Sequence, residues 1–157
     1  MRIGFGYDLH LLKEGEELIL GGVKIDYPLG LIGHSDGDAL THSIIDSLFG
    51  AFGLPDIGNH FPDSDPKYRG ISSLALLEET MRIIPGSVIN IDTTIIAEEP
   101  KMSPYIDEMK RNISGIIGID ESLISIKATT NEGVGPIGEK KAIACYSVCL
   151  CDKVVRL

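Results

Sequence analysis

The sequence lacks an excess of basic residues. It has 14 lysine and arginine residues against 23 aspartate and glutamate residues, which gives a formal net charge of -9 at pH 7. Nucleic acids and anionic membranes are bound mainly through basic surfaces, so this charge argues against either one as the main partner. If the substrate is itself anionic, cations must help to bind it.

Long apolar runs and a disulfide pattern are also missing. No apolar run approaches the roughly 20 residues that a membrane-spanning helix needs, and the N-terminus lacks the apolar core of a secretion signal. The cysteines Cys145, Cys149 and Cys151 all lie in the segment CYSVCLC, which matches neither a disulfide framework nor a metal knuckle. We therefore expect a bacterial cytoplasmic protein whose cysteines are buried as small apolar residues.

The remaining composition predicts one folded domain over residues 1–157. Hydrophobic residues make up 43% of the chain and charged residues 24%, as is usual for globular proteins. Strand-like segments such as RIGFGYD, SVINIDTTIIA and KAIACYSVCLCDKVV are mixed with helical segments, and the Gly21-Gly22 pair predicts a hairpin. This order predicts an α+β fold with a mixed β-sheet, helices packed on one face and the last strand at the centre. The second face is partly apolar, which predicts a homo-oligomer that packs its sheets together.

Three helices are predicted from their caps and their apolar periodicity. The first is expected to begin near Ser35 and Asp36 and to end near Gly53, and the second covers roughly residues 72–84. The third is expected to use Ser103 as its N-cap, with acidic residues early and basic residues late.

All four histidines lie within the first 65 residues, beside aspartates and glycines. This clustering of histidines and aspartates favours a functional site over a scatter of surface residues. Positions i and i+2 of a strand point to the same side, so Asp8 and His10 can face one ion, and a helix that carries His42 could complete the set. One carboxylate and two imidazoles suit zinc and leave a position for water or substrate. The alternative is that Asp8 caps a turn and that the two histidines are unrelated polar residues.

Two further polar segments have both functional and structural interpretations. His34 and Ser35 precede the predicted first helix, whose free N–H groups suit a phosphate, although simple capping explains them equally. Capping is the preferred interpretation for Asp36 and Asp38. In the segment IKATTNEG, Thr129 and Thr130 could donate to phosphate and Glu132 could hold a hard cation, or the segment could be an ordinary strand end.

Six segments together resemble the 2-C-methyl-D-erythritol 2,4-cyclodiphosphate synthase family of the non-mevalonate isoprenoid pathway. In the family's order and spacing, they are RIGFGYDLH, LGGVKI, HSDGDAL with a following histidine and aspartate, DIGNHFPDSDP, IIAEEPKM and IKATTNE. Each segment alone is weak evidence, but six in register are highly specific.

The resemblance implies an intramolecular phosphoryl transfer. The 2-phosphate of 4-diphosphocytidyl-2-C-methyl-D-erythritol 2-phosphate attacks the β-phosphorus, and the products are the cyclic diphosphate and CMP. Because the nucleophile is already an anion, no protein nucleophile is required, and the protein must supply charge neutralisation and positioning. The resemblance implies one Zn2+ per subunit on Asp8, His10 and His42, and a second divalent cation, Mg2+ or Mn2+, on Glu132. It assigns transition-state stabilisation to His34 and Thr130.

The resemblance also implies the residues that surround the substrate. Near the metal they are Asp8, Leu9, His10, His34 and Ser35, and around the methylerythritol phosphate they are Asp56, Ile57, Gly58, Phe61, Pro62, Asp63, Ser64 and Asp65. The cytidine pocket comprises Ala97, Glu98, Glu99, Pro100, Lys101, Met102 and Ser103, and the last group is Thr129, Thr130, Asn131 and Glu132. Asp46 is a candidate for orienting a ligand imidazole, with an exposed helical acid as the alternative.

Members of the family are homotrimers whose sheets face inward and whose active sites lie between subunits. The resemblance implies the same here, with residues 129–132 and the cytidine segment supplied by the neighbouring subunit. The chain departs from the family after Glu132, where many members carry an aromatic residue and an arginine but this chain has Pro136 and Glu139. In some members that arginine lies near the trimer axis, at a proposed isoprenoid diphosphate site, so we do not expect such a ligand to bind there. Lys140 or Lys141 is a candidate to compensate, but the reversed charge at Glu139 argues against it.

Two other classes of function are consistent with the residues. A metal-dependent phosphohydrolase could use the same aspartate and histidines with a metal-bound water, and it would not form a cyclic product. A non-catalytic trimeric ligand-binding protein could retain the fold, although it would have no need of both metal sites.

Overall fold

Two β-sheets and five helices make up residues 1–153, the part of the chain that this computed structural model describes. The strands are β1 (Arg2–Glu14), β2 (Leu18–Leu20), β3 (Val23–Ile25), β4 (Leu29–Leu31), β5 (Gly86–Ile96), β6 (Ile124–Thr129) and β7 (Ala142–Lys153). The helices are α1 (Ala39–Phe52), α2 (Ile57–His60), α3 (Ser73–Ile83), α4 (Ile106–Ile117) and α5 (Gly135–Gly138), with short 3-10 turns at Pro66–Tyr68 and Glu121–Leu123. The predicted continuation of the last strand through Val154 and Val155 lies outside the described residues.

The main sheet is mixed, as predicted. Its strand order is β4-β1-β7-β5-β6, with β5 and β6 parallel and the other neighbours antiparallel. The last long strand, β7, is the central one, which confirms its prediction. The predicted hairpin is the separate β2-β3 sheet, in which Gly21 and Gly22 both take positive φ, of 55° and 69°. Only glycine adopts that pair of conformations without a steric cost.

The core lies between the main sheet and its helices. Helix α1 packs on β1 and β7, α4 packs on β6, and α3 contacts both helices. Apolar residues of α1 such as Ile44, Leu48 and Phe49 are fully buried, as are Ile91 and Ile95 of β5. The cysteines Cys145, Cys149 and Cys151 are buried and free, as predicted. Within residues 1–153, no helix is both long enough and apolar enough to cross a bilayer.

Two glycines bring α1 unusually close to β1. A Cβ atom added at Gly4 would lie 1.7 Å from the Ser47 carbonyl oxygen, and one added at Gly6 would lie 1.9 Å from the Ser43 carbonyl oxygen. Any larger residue at these positions would therefore displace the helix backbone. The alternation of β1 places Asp8 on the same face as the two glycines, so the close approach carries His42 of α1 towards Asp8.

The opposite face of the sheet exposes a row of large apolar side chains. They are Ile3, Phe5, Tyr7, Leu9 and Leu11 of β1, together with Tyr146 and Val148 of β7. Phe5 is 61% exposed and stacks loosely on Tyr146, at 6.0 Å between ring centroids. A contiguous patch of this kind usually marks an interface. The partly apolar second face that the sequence predicts lies mostly on β1 and β7.

Two predicted helix starts are wrong. Helix α1 begins at Ala39 and not near Ser35, because the Asp38 side chain accepts the Thr41 N–H at 3.0 Å and acts as the N-cap. Helix α4 begins at Ile106, and Ser103 lies in the preceding turn without capping it. The predicted middle helix agrees with α3.

Candidate metal centre and substrate pockets

Asp8, His10 and His42 form one compact cluster. The Oδ2 atom of Asp8 lies 2.8 Å from His10 Nε2 and 3.0 Å from His42 Nδ1, and these two nitrogens are 3.3 Å apart. The three candidate ligand atoms all lie within 4.8 Å of one another, and the three residues are half-buried. The structure thus brings together the predicted metal ligands, and their chemistry suits a divalent ion.

The second nitrogen of each imidazole has its own partner. His10 Nδ1 donates to the carbonyl oxygen of Ile32, which can only accept a hydrogen bond, so Nε2 keeps its lone pair for the cluster. His42 Nε2 lies 2.8 Å from Ser73 Oγ and 3.0 Å from Ser35 Oγ. Partners of this kind fix the orientation of ligand imidazoles.

The electrostatics of the cluster favour an ionised Asp8. Burial by itself would raise the pKa of Asp8, but its close contacts with the His10 and His42 imidazoles outweigh burial and hold that pKa well below its usual range. Burial would lower the pKa of His10, whereas its hydrogen bond and its attraction to Asp8 raise it overall. The ionised Asp8 therefore supplies the negative charge that a divalent cation at this point would need.

A pocket of about 200 Å3 opens above the cluster. Its lining includes most of the residues predicted around the metal and the methylerythritol phosphate: Asp8, His10, His34, Ser35, His42, Ile57, Gly58, Phe61 and Asp63, with Tyr68 and Leu76 in addition. This volume is below the roughly 300 Å3 of small drug-sized sites, so it fits only part of a nucleotide-linked substrate. His34 lines the pocket with a buried Nε2 that has no hydrogen-bond partner within residues 1–153, which is a polar atom available to a ligand.

Several predicted contacts of this pocket do not line it. The side chain of Leu9 is on the opposite, exposed face of β1. The Asp56 carboxylate caps α2 by accepting the Asn59 N–H at 3.1 Å, and Asp65 accepts the Lys67 N–H at 2.9 Å. Pro62 also lies outside the lining, and Ser64 lines a neighbouring hollow with His34 and Arg69.

A second pocket, of about 220 Å3, is lined by the predicted cytidine segment except for Glu99. It is lined by Ala97, Glu98, Pro100, Lys101, Met102, Ser103, Ala128, Thr129 and Thr130. Glu98 connects this segment to the next loop, because its Oε1 accepts the Asn131 N–H at 2.7 Å and the Gly133 N–H at 3.3 Å. Glu132 lies between them with a φ of 53° and accepts the Thr130 hydroxyl at 3.1 Å. The predicted nucleotide and second-cation residues are therefore one structural unit.

The two pockets are far apart within one chain. Asp8 of β1 pairs with Cys145 of β7, Cys145 with Ile95 of β5, and Ile95 with Ala128 of β6. Three strand spacings of about 4.8 Å place Asp8 about 14 Å from Ala128. Adjacent phosphates of one diphosphate cannot span that distance.

The lysines after Glu132 are engaged in ion pairs. Lys140 Nζ lies 2.7 Å from Glu99 Oε1, whose other oxygen accepts the Tyr27 hydroxyl at 3.4 Å. Lys141 Nζ lies 2.5 Å from Glu139 Oε2. Each of these lysines is therefore paired with a carboxylate.

Asp46 was a candidate for orienting a ligand imidazole, but other residues make that contact. Asp46 Oδ1 accepts the backbone N–H of Ile57 at 2.8 Å and makes no hydrogen bond to an imidazole. The ligand imidazoles contact Ser73, Ser35 and the carbonyl of Ile32. Ser35 was predicted only as a substrate contact, and Ser73 and Ile32 were not predicted. Ser73 carried no signal beyond its place at a helix start, since its contact with His42 depends on how α3 packs.

Nearly the whole chain is similar to known proteins. The sequence model of the YgbB family matches residues 1–152. The 2-C-methyl-D-erythritol 2,4-cyclodiphosphate synthase of Clostridium novyi (strain NT) is 54% identical over 156 residues, which cover 98% of this chain and 99% of that protein.

Solved structures show the same similarity. The bifunctional IspDF from Campylobacter jejuni matches 94% of this chain with a TM-score of 0.89 and 40% identity, and the match spans 41% of that longer protein. A CDP complex of IspF from Plasmodium falciparum matches with a TM-score of 0.84 and 42% identity, over 97% of this chain and 96% of that one.

Proposed function

The chain belongs to the YgbB family, and on that premise we propose how its two pockets carry out the reaction of a cyclodiphosphate synthase. The resemblance drawn from the six sequence segments is confirmed. The chain acts in isoprenoid biosynthesis, where it converts 4-diphosphocytidyl-2-C-methyl-D-erythritol 2-phosphate to 2-C-methyl-D-erythritol 2,4-cyclodiphosphate and CMP.

The observation that supports a metal-assisted mechanism is the cluster of Asp8, His10 and His42 at the floor of the first pocket. These residues would hold one Zn2+, because their donor set is that of catalytic zinc sites and leaves a position free. A bound zinc would supply Lewis acidity and positive charge for the phosphoryl transfer. Glu132 would hold a second divalent ion, Mg2+ or Mn2+, against the diphosphate.

The chain's own residues position the reacting groups. A 2-phosphate oxygen forms the new bond to the β-phosphorus, the bond from that phosphorus to the oxygen shared with the α-phosphate breaks, and CMP leaves with that oxygen. No proton has to be removed from the nucleophile. The Nε2 of His34, which has no partner within residues 1–153, would hydrogen-bond the phosphate, and the Thr130 hydroxyl would stabilise the developing charge.

A homotrimer would join the two halves of the site. Because about 14 Å of sheet separates Asp8 from Ala128 in one chain, the cytidine pocket and Glu132 that serve a given metal centre would come from a neighbouring subunit. The exposed apolar row of β1 and β7 is the surface that would pack inward. We also infer that the enzyme is a phosphorus-oxygen lyase of the bacterial cytoplasm.

Charge placed on the apolar row is expected to dissociate the assembly. In Phe5→Glu, a buried carboxylate would cost several kcal/mol at each interface. The mass of the particle in solution should therefore fall from that of three 17.0 kDa chains to that of one chain. Cyclase activity should fall at least about tenfold with it. Light scattering and activity at matched concentrations check this, with Arg111→Glu on the outer side of α4 as the control. A monomeric wild type, or an active monomer, would contradict the proposal.

The function is tested by following both products. The purified protein is incubated with 4-diphosphocytidyl-2-C-methyl-D-erythritol 2-phosphate and Mg2+ or Mn2+, and phosphorus NMR follows CMP and the cyclic diphosphate. Equal amounts of both products are expected, and a chelator should abolish both. CMP without the cyclic product would identify a phosphohydrolase, and ligand binding without turnover would identify a binding protein.

A further inference from the structure

The His42 imidazole is the first member of a chain of hydrogen bonds that ends outside the pocket. His42 Nε2 lies 2.8 Å from Ser73 Oγ, and Ser73 Oγ in turn donates to Asp36 Oδ1. The second oxygen of Asp36 accepts the Ser73 backbone N–H at 2.9 Å. Ser73 is completely buried, so its hydroxyl has no alternative partner in solvent.

The direction of each hydrogen bond follows from the groups involved. A carboxylate oxygen only accepts, so the single proton of the Ser73 hydroxyl is directed to Asp36. The Ser73 oxygen must then accept from His42, which places the ring proton of His42 on Nε2. The lone pair is left on Nδ1, the atom that lies 3.0 Å from Asp8 Oδ2.

We propose that Ser73 and Asp36 are positioning residues that hold His42 as an Nδ1 metal ligand. His10 is held in the opposite tautomer by the Ile32 carbonyl and offers Nε2. The two imidazoles therefore present lone pairs to one point from different nitrogens, and each tautomer is fixed by a partner outside the pocket. This inference rests on the proposed zinc centre, and it adds that Ser73 and Asp36 determine which nitrogen of His42 faces the metal.

Replacement of Asp36 by asparagine gives the sharper test. The Ser73 N–H needs an acceptor, so the carbonyl oxygen of the new amide would take the position of Oδ2, and its NH2 group would face Ser73 Oγ. The hydroxyl proton of Ser73 would then turn to His42 Nε2 and force the ring proton onto Nδ1, towards the metal. Asp36→Asn should therefore weaken zinc binding by about a hundredfold, which is the upper end of the range seen when residues that hydrogen-bond a metal ligand are replaced.

Removal of the hydroxyl should have a smaller effect. In Ser73→Ala the tautomer is no longer fixed but is not reversed, and Ser35 Oγ still lies 3.0 Å from His42 Nε2. We expect zinc binding to weaken about tenfold in this variant. Ser72→Ala is the matched control, since Ser72 is the neighbouring residue at the same helix start and its side chain makes no capping hydrogen bond.

The experiment measures zinc affinity by competition with a chromophoric chelator in the wild type and the three variants. Cobalt(II) absorption reports the ligand geometry, and nitrogen-15 NMR of the zinc-loaded wild type reports which His42 nitrogen coordinates. Asp36→Asn also removes a weak acceptor from the Asp38 N–H, which lies 3.3 Å from Asp36 Oδ1, and this could lower stability. Thermal unfolding of the metal-free variants therefore controls for folding. Coordination through Nδ1, and weakening in the order Asp36→Asn, Ser73→Ala, Ser72→Ala, is the expected result.

Two other results have distinct meanings. If the wild type binds zinc through Nδ1 but both Asp36→Asn and Ser73→Ala bind it equally well, or if His42 coordinates through Nε2, the positioning role is wrong while the metal centre stands. If the wild type binds no zinc, the proposed centre itself is wrong, and the positioning role is wrong with it.

Discussion

Replacement of Asp8 by asparagine is expected to lower kcat/KM of the cyclase reaction at least about a thousandfold, because a bound metal contributes several kcal/mol to stabilising the developing charge. Asparagine keeps the size of the side chain but removes its charge. Asp8 Oδ2 is the atom that both imidazoles approach, at 2.8 and 3.0 Å. The two histidines alone should therefore hold zinc much more weakly.

Zinc content, product formation and thermal unfolding of the variant are measured together. Asp107→Asn is the matched control, since Asp107 is an exposed acid of α4 and carries the same change in charge. The control should keep wild-type activity. An Asp8→Asn protein that is folded, retains zinc and turns over as fast as the wild type would refute the role of the cluster.

Much of the fold could be predicted because local patterns and tertiary packing agree. The glycine pair between β2 and β3 requires positive φ at both positions, which limits that segment to a hairpin. The long run of small and β-branched residues in β7 suits a central strand, and that is its place. The start of α1 was misplaced because Ser35, Asp36 and Asp38 are all good caps, and only the packing of Asp38 against Gly21 and Gly22 decides between them.

The metal cluster could be anticipated from spacing, whereas its supporting contacts could not. Asp8 and His10 share a face of β1 because strand residues alternate, and that rule is local. The contact between His42 and Ser73 joins residues 31 positions apart, and it exists only because α3 packs beside α1. The distance between the two pockets likewise follows from the order of the strands, which no single segment specifies.

In β1 the usual alternation of buried apolar and exposed polar residues is reversed. In RIGFGYD the large apolar residues Ile3, Phe5 and Tyr7 are exposed, and the glycines between them face the core. A single isolated chain would gain more by burying the apolar side chains. The proposed trimer would cover these side chains, while the glycines let α1 approach the strand and place His42.

Gly6→Ala is therefore expected to damage the metal centre without touching a ligand. The new Cβ would lie 1.9 Å from Ser43 O and 2.7 Å from Ser47 N, so the backbone of α1 must move. We expect a loss of about 2–3 kcal/mol in the free energy of unfolding, as for other overpacked cores. Displacement of His42 by about 1 Å should lower kcat/KM about a hundredfold. Chemical denaturation and zinc titration check the two effects separately.

Substitutions at two other glycines distinguish a general loss of stability from a displacement of His42. Gly4→Ala meets Ser47 O at 1.7 Å, about one helical turn farther from His42, so it should lose as much stability as Gly6→Ala but less zinc affinity. Gly50→Ala, within α1 itself, meets nothing closer than 3.7 Å and should gain about 0.5–1 kcal/mol. Equal losses of zinc affinity at Gly4 and Gly6 would mean that global strain and not the position of His42 governs the site. Wild-type zinc affinity in Gly6→Ala would mean that α1 can shift without moving its ligand, and that the close approach serves packing alone.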